Sequence, residues 1–289
     1  MSNEILQTGT LYVVGTPIGN LEDMTLRAIH ILKSVNLIAA EDTRHTKKLL
    51  HYFHVNTPQI SYHHHNRLSR QDELIGYLQQ GKIIALVTDA GMPGISDPGY
   101  ELIKACIDKS IATIPISGAN AAIMALSVSG LPTNRFVFEG FLSTKDKSRV
   151  NRLTFLKTET RTIIFYESPH RLLQTLNDLG NFFGKNRLIT VARELTKLYE
   201  ELWRGTLGEA INYFQDSKYL KGEFTLIVAG CHTMSELTLT EEQLKKELKQ
   251  LLAMGMTRSQ ASCHLAELIS LNRRQIYKLS LEVDTPNQD

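Results

Sequence analysis

Residues Ile83 to Thr88 are apolar at nearly every position and lack the alternation of a half-exposed strand, so they predict a strand buried on both faces. Such strands occur in parallel sheets with helices on both sides, which narrows the fold to the α/β class before any motif is considered. The next stretch, Asp89 to Gly99, reads D-A-G-M-P-G-I-S-D-P-G, and Tyr100 to Asp108 has a helical pattern. A loop at the carboxyl end of a buried strand is where ligands bind in open α/β sheets. Glycine brings main-chain N–H and C=O groups close to a ligand, and proline fixes the loop's shape beforehand. The stretch is therefore a candidate small-molecule loop, although turn residues also gather in ordinary strand–helix connections.

The rest of the first half repeats the unit. Strands are predicted at Leu11–Gly15, Asn36–Ala40, Pro58–Tyr62 and Ile111–Ile116. Helices are predicted at Thr25–Lys33, with Leu26, Ile29 and Leu32 inward, from Glu41-Asp42-Thr43-Arg44 to Tyr52, and at Asp72–Gln80, closed by Gly81. Thr16-Pro17-Ile18-Gly19-Asn20 makes a tight loop after the first strand. Ser117-Gly118-Ala119-Asn120 opens an alanine-rich helix to about Ser129. It reads either as a helix start offering N–H groups to an oxygen-rich ligand or as an ordinary N-terminus.

From Phe136 the pattern changes to strands at Phe136–Phe141, Thr162–Tyr166, Leu188–Ala192, Glu200–Gly205 and Gly222–Ala229, with helices near 147–157, 169–180 and 207–215. That predicts a second α/β domain with antiparallel pairings, hinged at Gly130-Leu131-Pro132-Thr133. A polar stretch near 232–240 leads to three short helices whose start signals are Thr240 with Gln243, Thr257 with Gln260, and Asn272 with Gln275. Leu244, Leu248 and Leu251, then Ala261, Leu265 and Leu268, then Ile276 and Leu279 recur at helical spacing. The expected division is 1–116, 117–232 and a helical module at 238–289. That module reads as a helix-turn-helix-like RNA-contacting unit or as a small interaction bundle.

Net charge is +2 over 289 residues, so a polyanion would need a local patch. The densest basic run is Thr144–Arg161, with Lys145, Lys147, Arg149, Arg152, Lys157 and Arg161. It is a nucleic-acid contact or a solvated helix face. Cys106, Cys231 and Cys263 show no paired spacing, which fits a reducing compartment. The N-terminus carries Glu4 and no long apolar core, and Ala119–Val128 falls short of the ~20 residues that span a bilayer, so a cytoplasmic chain without membrane segments is expected. No GxxxxGK[ST] is present, nor a GxGxxG after the first strand. The run His63-His64-His65, near His51 and His54, lacks the spacing that converges metal ligands and reads as a polar loop, with no metal expected. Trp203 reads as a packing residue.

Taken together, the loops resemble those of the tetrapyrrole methylase superfamily, and within it those of its ribosomal RNA ribose methylases. The likeness rests on Gly15-Thr-Pro-Ile-Gly-Asn20, Ala39-Ala-Glu-Asp-Thr-Arg44, Asp89–Gly99, Pro115-Ile-Ser-Gly-Ala-Asn120, Phe165-Tyr-Glu-Ser-Pro-His-Arg171, Ala192-Arg-Glu-Leu-Thr-Lys197 and Gly222-Glu-Phe-Thr-Leu-Ile-Val228, in order along residues 9–231. Relatives often carry Pro-Gly-Pro or Pro-Gly-Ser where this chain has Ile116-Ser117-Gly118. The resemblance implies two α/β domains with S-adenosyl-L-methionine in the cleft between them, and a homodimer. It implies cofactor contacts at Pro17, Asp89, Ala90, Gly91, Pro93, Ser117, Gly118 and Ala119, with Tyr166 and Glu167 closing from the second domain and Phe224 and Thr225 near the adenine.

The implied reaction is 2′-O-methylation of a cytidine in 16S rRNA, in the assembled 30S subunit. A ribose hydroxyl is a weak acid, so a general base would help. Asp42, Glu41, Asp23 and Glu167 are the candidates, with Asp42 or Asp23 as base or orienter, unless these carboxylates only cap helices or pair with Arg27 and Arg44. Arg44 and His45 would hold the nucleotide's phosphates, and Lys145, Lys147, Arg149, Arg152, Arg273 and Arg274 would form a basic rim. The rival readings are a small-molecule tetrapyrrole methylase and a non-catalytic, cofactor-sensing RNA-binding module.

Overall fold

The computed structural model describes residues 6–215, 221–231, 241–269 and 273–283. The chain divides into two compact units, Met1–Ala229 and Gly230–Asp289. The first unit opens with a β-α alternation: β1 (Thr10–Val14), α1 (Leu26–Ser34), β2 (Leu37–Ala40), α2 (Thr43–Tyr52), β3 (Gln59–Ser61), α3 (Arg67–Gln79), β4 (Ile84–Val87), α4 (Tyr100–Asp108) and β5 (Ala112–Ile116). The five strands pair in the order β3-β2-β4-β1-β5, all parallel. Both faces are covered, as the unbroken apolar runs require. Tyr12, Val14, Ile38, Ala85 and Val87 pack on α1 and α2. Leu11, Val13, Ala39, Ile84 and Leu86 pack on α3 and α4. Pro115 sits in β5, an edge strand, where its missing N–H costs no inter-strand bond.

One inward face differs from expectation. In α1 the buried side chains are Ala28, Ile31 and Leu32, whereas Leu26 is 84% exposed. The N-cap is Thr25, whose Oγ1 accepts from Ala28 N–H. That cap places Leu26 at the first helical position, turned off the buried stripe.

The second sheet follows α5 (Ala121–Ser127). Its elements are β6 (Phe136–Phe141), α6 (Asp146–Leu156), β7 (Thr162–Glu167), α7 (Leu172–Phe183), β8 (Leu188–Arg193), β9 (Glu201–Thr206), α8 (Leu207–Gln215) and β10 (Phe224–Val228). The order is β6-β7-β10-β8-β9, with β6 parallel to β7 and the other pairs antiparallel. Side chains alternate between faces. Ile163, Phe165, Leu226 and Val228 join α6, α7 and α8 in one core, which Trp203 flanks. Ile164 and Ile227 join α5, with Tyr166 and Ile18 packed against them.

The second unit contains α9 (Glu241–Ala253), α10 (Arg258–Ile269) and α11 (Arg273–Leu281). Leu244, Leu248, Ala261, Leu265 and Ile276 form its core, with Leu251 and Leu279 against it. Thr257 and Gln260 make the reciprocal cap that their spacing predicts: Thr257 N–H donates to Gln260 Oε1 at 3.0 Å and Gln260 N–H to Thr257 Oγ1 at 3.3 Å. Thr240, Asn272 and the side chains of Leu268 and Arg273 lie outside the described residues. Among the described residues no helix is long and apolar enough to cross a membrane.

Candidate active site

Strand order decides which loops meet. Because β1 lies between β4 and β5, the loops after these three strands leave the carboxyl edge of the sheet side by side. Main-chain hydrogen bonds lock them. Thr16 N–H donates to Gly91 O at 2.9 Å, Gly91 N–H donates back to Thr16 O at 3.1 Å, and Thr16 Oγ1 donates to Thr88 O at 3.0 Å. Gly15 and Gly118 cross so closely that a Cβ on Gly118 would lie 2.5 Å from Gly15 Cα, so only glycine fits there. Thr25 Oγ1 donates to Ser117 O, tying the start of α1 to the third loop.

The second sheet faces these loops across a cavity of about 340 Å³, within the usual size range for small-molecule sites. Of the residues expected around a cofactor, Ala90, Gly91, Tyr166, Glu167, Phe224 and Thr225 line this cavity. Pro17, Asp89, Pro93, Ser117, Gly118 and Ala119 belong to the same loops but stand outside its lining. Gly118 serves the loop crossing, and the Asp89 carboxylate accepts from Asp42 N–H at 3.2 Å.

Two N–H groups at the start of α5 are already engaged. Asn120 Oδ1 accepts from Ile123 N–H, and Tyr166 Oη accepts from Ala122 N–H at 3.2 Å. The Tyr166 ring packs edge-on against Phe138, 5.1 Å between centroids, and Phe141 flanks it at the cavity. Burial pushes the Tyr166 phenol above its ordinary value.

The cavity also contains a group that sequence reasoning missed. Asp97 lines it and has no hydrogen-bond or ion-pair partner among the described residues. Burial, then the negative charges of Glu41, Asp89 and Glu223, push its carboxyl up to about 7. Burial also raises Glu41, whose Oε2 accepts from Asp89 N–H. The available signal was a second carboxylate in one glycine- and proline-rich loop, and Ser96 beside it holds a left-handed φ of 64°. Ile18 and Leu195 add apolar wall from loops whose sequences also carry the family likeness.

The other three candidate carboxylates sit differently from Glu41. Asp42 caps α2 through Arg44 N–H at 2.8 Å and grips the Arg44 guanidinium at 2.7 Å, which holds its carboxyl well below the usual range. So held, it is a poor proton acceptor. Glu167 has a fully buried side chain that accepts from Ser168 N–H at 2.8 Å and Thr175 Oγ1 at 2.6 Å, with Arg171 Nε at 3.6 Å. Asp23 ends a short 3₁₀ turn, Leu21–Asp23, and its Oδ2 is buried without a partner.

The basic rim is also partly corrected. Arg149 is only 4% exposed: Nε donates to Asp178 at 2.7 Å and Nη2 to Thr175 at 2.8 Å, so it anchors α6 to α7 and is withdrawn from any surface contact. Arg44, His45, Lys145, Lys147 and Arg274 are exposed. Arg152 pairs with Glu139 at the surface. Among the described residues no group of three His, Cys, Asp or Glu converges as a metal site.

Comparison with known proteins agrees with this architecture. Residues 10–211 match the family described as Tetrapyrrole (Corrin/Porphyrin) Methylases. The chain is 59% identical over 276 residues to "Ribosomal RNA small subunit methyltransferase I" of Synechocystis sp., covering 96% of this chain and 99% of that protein. It is 46% identical over 275 residues to the Bacillus subtilis protein of the same name, covering 93% of each. Among solved structures, uroporphyrin-III C-methyltransferase from Thermus thermophilus, complexed with S-adenyl homocysteine, superposes with a TM-score of 0.53 at 15% identity, covering 76% of this chain and 97% of that one.

Proposed function

The chain belongs to the tetrapyrrole (corrin/porphyrin) methylase family, and we propose that within it this protein is an S-adenosylmethionine-dependent ribosomal RNA methyltransferase that methylates a ribose 2′-oxygen of a cytidine in 16S rRNA, in the assembled 30S subunit. The names of relatives that span nearly its whole length support the RNA substrate. The observation that carries the reading is the cavity itself: main-chain loops on one side, strand side chains on the other, and an unpartnered acid, Asp97, with Glu223 close by.

The residues present fit S-adenosylmethionine, which is cationic at both its sulfonium and its amino group. Asp97, when ionised, supplies negative charge in a partly desolvated place, where a cation gains most from it. Ile18, Leu195 and Phe224 offer apolar wall for a planar base. When bound, the cofactor supplies a methyl group already activated on sulfur. The chain's own contribution is to hold the acceptor ribose in line and to exclude water. Positioning of this kind is worth up to about 7–11 kcal/mol in favourable cases.

Asp42 and Arg44 form a rim pair beside the cavity, with Arg44 and His45 directed at the nucleotide's phosphates. Of the four candidate carboxylates Asp42 is neutralised and Glu167 is saturated by donors, and of the other two Asp23, whose Oδ2 is buried without a partner, is taken as the proton acceptor ahead of Glu41, which accepts from Asp89 N–H. Asp23→Asn should then lower turnover by about 10²–10⁴-fold with cofactor binding intact, and normal turnover sinks the assignment. Exposed Leu68, Tyr100 and Ile107 on α3 and α4 support a homodimer, which sedimentation of the free protein distinguishes from a monomer.

The deciding experiment is transfer of labelled methyl from S-adenosylmethionine to purified 30S particles from a strain lacking this protein, followed by nucleoside mass spectrometry. A ribose-methylated cytidine is expected. No transfer to particles or to naked rRNA, with cofactor binding intact, overturns the reading in favour of a small-molecule methylase or a non-catalytic binder.

A further inference from the structure

The outer face of α6 carries chemistry that the cavity does not use. Lys145, Lys147, Ser148, Asn151, Arg152 and Phe155 surround a shallow depression open to solvent. Positions 148, 151, 152 and 155 recur at helical spacing and share one side of the helix. Arg149, Leu153 and Leu156 anchor the buried side, so the outer face is presented on a rigid element.

Phe155 is 67% exposed, so core packing does not account for it. The Arg152 guanidinium lies 5.0 Å from its ring centre. Glu139 grips the same guanidinium through two hydrogen bonds, at 2.7 and 2.5 Å, and so fixes it beside the ring. The result is a largely exposed ring with a planar cation held over one of its faces. Lys145 and Lys147 flank them and have no ion-pair partner among the described residues. A protein-docking patch would need contiguous apolar area. Here a single ring is surrounded by cations, a hydroxyl and an amide, which is the composition of surfaces that stack bases of single-stranded nucleic acid.

We propose that the outer face of α6 is a platform on which one unpaired nucleobase of the RNA stacks against Phe155, with Lys145 and Lys147 neutralising the flanking phosphates. The identity of the ligand rests on the RNA-methylation reading, but the site is testable without methyl transfer.

The test uses the full-length protein and a short single-stranded RNA oligonucleotide carrying one 2-aminopurine, whose fluorescence is quenched on stacking. Binding with quenching is expected for the unaltered protein. Phe155→Ala, which removes an exposed ring and leaves the core intact, should weaken binding by about ten-fold or more and abolish the quench. Phe155→Trp should restore both. Lys145→Ala and Lys147→Ala should each reduce the salt slope by about 0.7.

The proposal is overturned by binding without quenching, by equal affinity of Phe155→Ala, by Phe155→Leu behaving like the unaltered protein, or by equally tight binding of a duplex. Methyl transfer to 30S particles, run in parallel, separates the two readings. Failed transfer with the expected oligonucleotide behaviour removes the substrate assignment and leaves the platform. Successful transfer with an indifferent Phe155→Ala in the oligonucleotide assay removes only the platform.

Discussion

The two sheets build one cavity by opposite means. The first supplies main chain: glycines at the carboxyl ends of β1, β4 and β5, held in register by backbone pairs such as Thr16 with Gly91. The second supplies side chains from within or just beyond its strands: Tyr166 and Glu167 from β7, Ala192 from β8, Phe224 and Thr225 from β10. A wall of main chain tolerates no added atom at its crossings. A wall of side chains tolerates changes of shape but depends on the hydrogen-bonded groups behind it. The predicted effects of substitution fall in that order.

Gly118→Ala should do the most damage. Its Cβ would sit 2.5 Å from Gly15 Cα and 2.6 Å from Gly15 C, and no side chain can move aside to accept it. Overpacking that forces backbone shifts costs about 1–3 kcal/mol, and a main-chain crossing belongs at the top of that range. Thermal unfolding should show the loss, and titration calorimetry should show cofactor binding abolished. Gly76→Ala is the control. Gly76 lies inside α3 with nothing within 4 Å of a new Cβ, so the change should stabilise by about 0.5–1 kcal/mol. Unchanged cofactor binding in Gly118→Ala would erase the distinction between the two walls.

The second wall is best tested from behind. Arg149 donates to Asp178 and Thr175, and Thr175 donates in turn to Glu167. Arg149→Met keeps the bulk but strands these acceptors. Breaking a buried ion pair from one side costs about 3–5 kcal/mol, and the partial exposure of Asp178 reduces this to about 2 kcal/mol. Urea denaturation measures that loss. Cofactor affinity should fall with it, because Glu167 loses its fixed orientation. Lost stability with unchanged affinity would make Arg149 a prop for α6 alone.

Asp97 lies where the two walls meet, and its effect depends on pH. Its carboxyl moves from an ordinary 3.8 up to about 7. The folded state therefore binds this proton more tightly than the unfolded chain. The resulting stability is fully present below pH 3.8 and is lost as pH rises through about 7. Asp97→Asn should flatten stability across that window. Ligand binding runs the other way, since a cationic cofactor needs the carboxylate. Its affinity should weaken as pH falls below about 7, with a proton released on binding near pH 6. Calorimetry in buffers of different ionisation enthalpy reads both effects. An affinity that is flat across neutral pH would remove Asp97 from the cation's surroundings.

The same contrast explains what the sequence reveals. Loops built from main chain leave a compositional mark, so Asp89–Gly99 and the Gly15 and Gly118 loops are visible as glycine and proline clusters between predicted strands. Alternation and caps likewise mark the strands of the second sheet and the Thr257–Gln260 helix start. Individual roles are less visible. Leu26 and Arg149 each belong to a recognisable pattern, an apolar helical stripe and a basic run, yet one faces solvent and the other is buried. The place of Leu26 at the first helical position, after the Thr25 cap, decides the first, and a partner 29 residues away, Asp178, decides the second. The perturbed state of Asp97 arises from burial first and then from the charges of Glu41, Asp89 and Glu223, a setting that only the fold assembles.

The smallest effect is expected on the outer rim of the first sheet. Asp42 is already neutralised by Arg44, so Asp42→Asn removes the grip on a guanidinium rather than a working base. Cofactor affinity should be unchanged, and methyl transfer to rRNA should fall only a few-fold. Arg44→Ala should show the same loss, and the double substitution should be no worse than either single one, because both remove one unit. On the proposal that the rim positions phosphates and takes no part in bond making, the loss should lie in the apparent affinity for RNA. A drop of about 10²–10⁴-fold in turnover for Asp42→Asn alone, with Arg44→Ala mild, would mean that substrate binding pulls Arg44 away and frees Asp42 to take the ribose proton. The first sheet would then contribute a reacting side chain as well as a main-chain wall.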